Sequence, residues 1–270
     1  MADLSQLESY YAGKVEPIYR AISGTTLHLA MVEREGESHA AGTARTKEFL
    51  AARLTVDPND LLVDLASGYG DATKFLARRF RCRIVAVNLI HVQNIVALRE
   101  LRKSVPDATP PVVEGDFARI PIIDNAARVV WCQEALLHAT DRAAVIEECK
   151  RVLQPGGQFI LTDILQTGAM EAEEQRLIYA RVGVETLESF AGYERLLAQA
   201  GLDLVEQMDL SRHVGPFYAD LATHLEQHRA KLVAAVGAEY VDYTVAAMRR
   251  WSRAGYEGKL GWGMFLASKN

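Results

Sequence analysis

The run Val63-Asp64-Leu65-Ala66-Ser67-Gly68-Tyr69-Gly70-Asp71-Ala72-Thr73 most restricts what this chain can fold into. It follows the apolar segment Leu61-Leu62-Val63 and leads into Lys74-Phe75-Leu76-Ala77-Arg78-Arg79-Phe80, which reads as helix. A strand that ends in an acid, turns tightly on glycines and enters a helix is the local architecture of an α/β nucleotide pocket. Glycine is needed there because backbone must approach a ligand closely and take dihedrals that a Cβ forbids. The run therefore predicts a site for an adenosine-containing cofactor.

The surrounding pattern agrees with a parallel sheet and crossover helices. Strands are expected near Leu61–Leu65, Arg83–Asn88, Pro111–Glu114, Ala127–Gln133 and Gln158–Ile164. Helices are expected near Ala72–Phe80, Val92–Lys103 and Ala143–Leu153, the last ending at Gln154-Pro155-Gly156-Gly157 because proline cannot continue a helix and glycine supplies the turn. A mostly helical stretch follows, with helices at Glu171–Arg181, Ser189–Gln199, Phe217–Val236 and Glu239–Ala254. A strand near Leu202–Asp209 interrupts it, and an apolar strand near Leu260–Ser268 closes it. Residues 1–55 are helical in pattern, with a hinge at Ser23-Gly24, and read as a lid. The organisation is then a lid (1–55), a cofactor core (56–164) and an acceptor-binding helical insertion with the last two strands (165–270).

Composition narrows the partners. With 49% apolar residues over 270 positions the chain can bury a full core, and its net charge of -5, with acids and bases interspersed, offers no basic field for nucleic acid or an anionic membrane. No run approaches the roughly 20 apolar residues of a membrane span, and the first residues lack a secretory pattern, so the expected location is the cytoplasm. Cys82, Cys132 and Cys149 stand singly and read as buried or half-buried thiols. His224 and His228 have the i, i+4 spacing of a metal pair, but Leu225 stands where a zincin carries its acid, so no metal is expected.

In an open parallel sheet the ligand sits beyond the carboxyl ends of the strands. The residues there are Asp64 to Gly70, Asn88, Gly115-Asp116-Phe117 and Gln133-Glu134. Ala66 occupies the place where a third glycine is usual. A dinucleotide reader normally ends its second strand in an acid, whereas Asn88 offers an amide that can still bond a ribose hydroxyl. Asp116 can accept from an adenine amino group while Phe117 offers an apolar face.

These residues, in this order, resemble the class I S-adenosylmethionine-dependent methyltransferases, whose fold is a Rossmann-like seven-stranded sheet with helices on both faces. The glycine loop is similar to the family's first motif, Gly115-Asp116-Phe117 to its adenine site, and Arg151-Val152-Leu153-Gln154-Pro155-Gly156-Gly157 to the segment before its fifth strand. Within the family the chain most resembles sarcosine/dimethylglycine N-methyltransferases. The carrying residues are Val87-Asn88-Leu89-Ile90-His91-Val92-Gln93-Asn94, then Trp131-Cys132-Gln133-Glu134-Ala135-Leu136-Leu137-His138, and finally Gly258-Lys259-Leu260-Gly261-Trp262-Gly263. Glu134 stands where those enzymes carry Asp, and Leu29-Ala30 replaces a glycine-containing run after His28. The resemblance implies S-adenosyl-L-methionine held by Asp64, Ala66, Gly68, Gly70, Asn88, Leu89, Gln93, Asp116, Phe117 and Gln133.

Methyl transfer from a sulfonium is an in-line displacement, so acceleration should come from alignment, worth up to roughly 7–11 kcal/mol, and from exclusion of water. A tertiary amine that binds neutral loses no proton, whereas a hydroxyl, primary amine or acidic carbon benefits from a base. His138 is the expected base and Glu134 a charge for the substrate or cofactor cation; their structural alternatives are a packing histidine and a helix N-terminal acid. An acceptor carboxylate calls for an arginine fork, for which Arg181 and Arg212 are candidates. Tyr19, His28, Tyr179, His213, Tyr218 and Trp262 are candidate walls of the acceptor pocket, since aromatic faces stabilise methylated ammonium groups.

The expected partner is a small-molecule methyl acceptor, and a homodimer is compatible with the pattern. A glycine-derived amine leads; O- or C-methylation of a secondary metabolite, an NAD-dependent oxidoreductase and a non-catalytic methyltransferase-like subunit are the competing readings.

Overall fold

In the computed structural model, Ile18, Thr26 and residues 28–34 and 36–270 are described. Part of the expected lid, including Ser23-Gly24 and Tyr19, lies outside them. The described strands are β1 (Leu61–Leu65), β2 (Arg83–Asn88), β3 (Val112–Glu114), β4 (Ala127–Gln133), β5 (Leu153–Gln166), β6 (Asp203–Asp209) and β7 (Leu260–Ser268). The helices are α1 (His39–Ala51), α2 (Asp71–Phe80), α3 (His91–Ser104), α4 (Arg142–Val152), α5 (Ala172–Ala180), α6 (Phe190–Gln199), α7 (Val214–Gln227), α8 (Arg229–Val236) and α9 (Ala238–Tyr256). None of the described helices is long and apolar enough to cross a membrane.

The strands form one seven-stranded sheet in the order β3-β2-β1-β4-β5-β7-β6. β1 pairs in parallel with β2 and β4, β2 with β3, and β4 with β5. The near-continuous apolar runs of β1 and β4 follow from this, because a central parallel strand is covered on both faces. Leu62 to Leu65 and Val129 to Gln133 are all buried. β7 runs the other way. The Gly156 N–H donates to the Lys269 carbonyl and the Thr167 N–H to the Lys259 carbonyl, so the start of β5 meets the end of β7 and vice versa. β6, last in the order, alternates exposed and half-buried residues along its length, as an edge strand does.

Two local expectations are corrected. The strand near Gln158–Ile164 begins earlier, at Leu153. Leu153 pairs with Ala127 and Gln158 with Val129, so Gln154 to Gly157 leave the ladder as a bulge in which Gly156 takes φ 74°. Proline is tolerated there because a bulge asks no ladder donor of it. The helix expected over Phe217–Val236 is two helices, α7 and α8, divided at His228, whose φ of -102° and ψ of 13° lie outside the helical well.

Helix ends follow local chemistry. α4 starts on Asp141, whose carboxylate accepts the Ala144 N–H at 3.0 Å. At its other end Lys269 Nζ donates to the carbonyls of Lys150 and Leu153 at 2.8 and 2.7 Å, a cation where the helix dipole favours one.

The described residues fall into two compact units, and the boundary between them passes through β5 and β7. The sheet unit comprises Lys47–Asp163, Ala191–Met208 and Met264–Asn270. Its core holds Trp131, Phe159, Tyr193 and Phe265, with the Tyr193 and Phe265 rings 5.0 Å apart. The helical unit comprises the described residues up to Thr46, then Ile164–Phe190 and Asp209–Gly263. Its core holds Trp251 and Trp262; Trp251 Nε1 donates to the Ile178 carbonyl at 3.0 Å, satisfying a buried indole.

Candidate cofactor site and acceptor residues

The turn after β1 is built from left-handed backbone. Ala66, Gly68 and Gly70 have φ of 57°, 53° and 77°. Glycine accepts such values freely, while Ala66 carries a strain of about 1–2 kcal/mol. A Cβ on Gly70 would also lie 3.2 Å from Ala97 Cβ of α3, so glycine there lets α3 pack against the turn. Asp64, 2% exposed, accepts from Thr73 Oγ1 of α2, which ties the strand end to the helix entrance. Asp71 opens α2 between Lys47 and Lys74. Burial alone would raise its carboxyl, but the two ammonium groups outweigh that and hold it at about 2.

Asn88 closes the other side of the turn. Its Oδ1 accepts the Gly68 N–H at 3.3 Å, and its Nδ2 faces Asn94 Oδ1, Gln93 Oε1 and the Ile90 carbonyl at 2.9, 3.1 and 3.3 Å. The amide expected to meet a ribose is therefore first a clamp between the glycine turn and α3. Its carbonyl oxygen retains a second lone pair for a hydroxyl donor. Leu89 is half-buried beside it, and Gln93 is 2% exposed.

At the third strand end, Asp116 caps a short turn by accepting the Ala118 N–H on Oδ1 at 2.9 Å, with Phe117 half-buried next to it. At the fourth, Gln133 accepts from Trp131 Nε1 at 3.1 Å. Its Nε2 is buried and has no hydrogen-bond partner among the described residues, and neither has Ser67 Oγ in the glycine turn. Buried polar atoms are rarely left unpaired, so these two mark a place shaped for a polar ligand. Together with the acceptors on Asp116 and Asn88, they fit the polar groups of an adenosyl amino acid.

Glu134 has φ 44°, an unusual value for a side chain with a Cβ, and unfavourable backbone of this kind concentrates at functional sites. Its N–H donates to the Thr162 carbonyl at 2.7 Å, and Thr162 Oγ1 donates to Glu134 Oε1 at 2.5 Å. His138 ends the following 3-10 turn, Leu136–His138. Burial and, after it, the charge of Arg142 lower its imidazole to about 4, so it is neutral at pH 7. Arg142 Nη2 donates to the Leu137 carbonyl at 3.2 Å.

The acceptor candidates that are described all lie in the helical unit. Arg181 is 8% exposed, and its guanidinium lies 5.1 Å from the Tyr218 ring centroid and 4.7 Å from that of Trp251. Cation–π contacts with these two rings take Arg181 into the core. Tyr179 donates its hydroxyl to Gln166 Oε1. His213 Nδ1 donates to the Val32 carbonyl at 3.0 Å, leaving Nε2 to accept from Arg212 Nε at 3.2 Å. The His213 ring meets Trp262 edge-on at 6.2 Å. His28 is half-buried, and its carbonyl faces His39 Nε2 at 3.2 Å. A cavity of about 380 Å3 in this unit is lined by Glu37, His39, Phe217, Asp220 and His224 among others, and by none of these candidates. A smaller hollow of about 280 Å3 is formed by Val32, Glu33, Arg212 and His213.

His224 and His228 stack at 4.3 Å, and His228 Nδ1 is bonded to the His224 carbonyl, an arrangement of backbone capping. No group of three His, Cys, Asp or Glu that could hold a metal ion occurs among the described residues. Sequence reading placed Ser67 and Thr73 in the glycine run without a role of their own and passed over Thr162. For Thr162 the available signal was a hydroxyl inside the apolar run Phe159-Ile160-Leu161-Thr162.

Residues 63–161 match the family described as methyltransferase domain. A glycine/sarcosine/dimethylglycine N-methyltransferase from Actinopolyspora halophila is 31% identical over 92% of this chain, which spans 44% of that relative's length. A sarcosine/dimethylglycine N-methyltransferase from Halorhodospira halochloris is 27% identical over 96% of this chain and 94% of its own. Among solved structures, a protein assigned as a sarcosine dimethylglycine methyltransferase from Galdieria sulphuraria superposes with a TM-score of 0.88 at 25% identity, covering 95% of this chain and 98% of its own. The seven-stranded order, the strand-end residues and these likenesses make the chain a class I S-adenosylmethionine-dependent methyltransferase.

Proposed function

We propose that the chain methylates a glycine-derived amine of the sarcosine or dimethylglycine type. The observation that carries this reading is the near end-to-end likeness to the Halorhodospira halochloris enzyme, which extends beyond the matched methyltransferase domain in both directions. S-adenosylmethionine, when bound, supplies an electrophilic methyl group on a sulfonium cation.

On this reading the turn from Asp64 through Ala66, Gly68 and Gly70, with Gln133, receives the amino-acid end of the methyl donor. Asn88, Leu89 and Gln93 receive the ribose side, and Asp116 and Phe117 the adenine. Glu134 supplies negative charge to a ligand cation. His138, neutral at pH 7 with its pKa lowered to about 4, takes up a proton only from an acceptor that carries an acidic one. A tertiary amine bound neutral, as in dimethylglycine, has none to give, and the proton of a secondary amine such as sarcosine leaves only after methylation has made it an ammonium, so a weak base at this place suits both.

Arg212 is the better fork for an acceptor carboxylate, since it is exposed beside a hollow whereas Arg181 is committed to two aromatic faces. Tyr19, His28, Tyr179, His213, Tyr218 and Trp262 are proposed as acceptor-side residues. An acceptor panel tests the assignment: sarcosine, dimethylglycine, a phenol and a prenyl-type carbon nucleophile, each with S-adenosylhomocysteine formation read out. Turnover on the amines is expected. Turnover confined to the phenol or the carbon nucleophile overturns the amine and leaves O- or C-methylation.

A further inference from the structure

We propose that Thr162 is a positioning residue that fixes the carboxylate of Glu134 toward the cationic methyl donor, so that the site binds the sulfonium more tightly, relative to the neutral thioether left after transfer, than it would without that hydroxyl. This rests on the reading that the strand-end site holds S-adenosylmethionine. Thr162 lies on β5, in register with Gln133 of β4, and is 1% exposed. It grips its neighbour twice: its carbonyl accepts the Glu134 N–H at 2.7 Å, and its hydroxyl donates to Glu134 Oε1 at 2.5 Å.

The double contact explains how Glu134 holds φ 44°, since such backbone persists where its surroundings over-determine it. Beside it the buried Gln133 Nε2, without a partner among the described residues, marks the same strand end as prepared for a polar ligand. A carboxylate whose direction is set by a buried hydroxyl meets a cation without reorganising, and preorganised charge of this kind discriminates between charged and neutral forms of one ligand.

Calorimetry with S-adenosylmethionine and S-adenosylhomocysteine on the full chain reads this without any acceptor. The ratio of the two affinities in the wild type is the reference. Glu134→Gln and Thr162→Val should each shift that ratio about fivefold toward the thioether, the scale of a modest charge interaction. Thr162→Ser, which keeps the hydroxyl, should retain it. Thr162→Val should add nothing in the Glu134→Gln background, because a residue that acts through another is not additive with it. Urea denaturation checks that each variant is folded, and Thr162→Ala serves if the valine variant is not.

A Thr162 variant without the hydroxyl that keeps the wild-type ratio, weakens both ligands equally, or adds fully to Glu134→Gln overturns the role. A wild type that binds neither contradicts the S-adenosylmethionine reading itself, and the positioning role falls with it.

Discussion

Asn88 Oδ1 accepts the Gly68 N–H at 3.3 Å, fastening the end of β2 to the turn that follows β1. With Asn88 Nδ2 facing three acceptors at the start of α3, one side chain joins three elements around the candidate cofactor site. Replacing Asn88 by Asp keeps the acceptor for Gly68 but removes the donor, leaving the facing oxygens of Gln93 and Asn94 without it. Asn88→Asp should lower stability by about 1–3 kcal/mol in urea denaturation, the scale of buried polar groups left unpaired. An unchanged midpoint and slope would contradict the clamp.

Ala66 offers the opposite experiment. At φ 57° its Cβ is a source of strain, and Ala66→Gly relieves about 1–2 kcal/mol while losing about 0.4–1 kcal/mol through the freer unfolded chain. A net gain of about 0.5 kcal/mol is expected. Denaturation midpoints for the two proteins check it, and a loss of stability would show that the methyl group packs usefully.

Asp71 links the turn to acid stability. Its folded carboxyl lies near 2 against an ordinary value of 3.8, so the unfolded chain binds the proton more readily between these values. Stability from this group is complete above pH 3.8 and is lost as pH falls through 2. Asp71→Asn should cost about 2 kcal/mol at neutral pH, and that difference should shrink in acid denaturation across this window. A difference between the two proteins that stays constant down to pH 2 would remove the ion pairs with Lys47 and Lys74 as its cause.

The same linkage applies to His138 with its own window. A folded value of about 4, below the ordinary 6.5, means that stability from the neutral imidazole is present above 6.5 and is lost as pH falls toward 4. If His138 accepts a proton during turnover, the free-enzyme pH–rate profile should carry an acid limb near 4 that is absent in His138→Gln. A limb that survives the substitution assigns the titration to another group.

Much of this fold was legible because parallel strands are covered on both faces and so appear as apolar runs: β1, β2 and β4 fall where the sequence places them. Their ends were legible for the same reason, since topology alone sends Asp64, Asn88, Asp116 and Gln133 to one edge. The early start of β5 was hidden, because Pro155-Gly156-Gly157 is chemically a turn whether it ends a helix or bulges a strand. The break at His228 has no proline or glycine to announce it; there the ring competes for the His224 carbonyl that the backbone also uses. Ala66 and Glu134 gave no sign of left-handed backbone because both carry a Cβ. The acceptor side was least legible, since aromatic residues that pack a core and those that line a chamber share one composition. Tyr218 and Trp262, both buried, show how little residue type alone decides.

The central claim is methyl transfer to an amine nitrogen, and its most direct measurement follows the methyl group itself. With S-adenosylmethionine labelled at the methyl carbon and dimethylglycine as acceptor, nuclear magnetic resonance should show the label on a trimethylated nitrogen, with S-adenosylhomocysteine formed mole for mole. Label transferred only to oxygen or carbon acceptors, with none reaching nitrogen while S-adenosylmethionine binds, would contradict it.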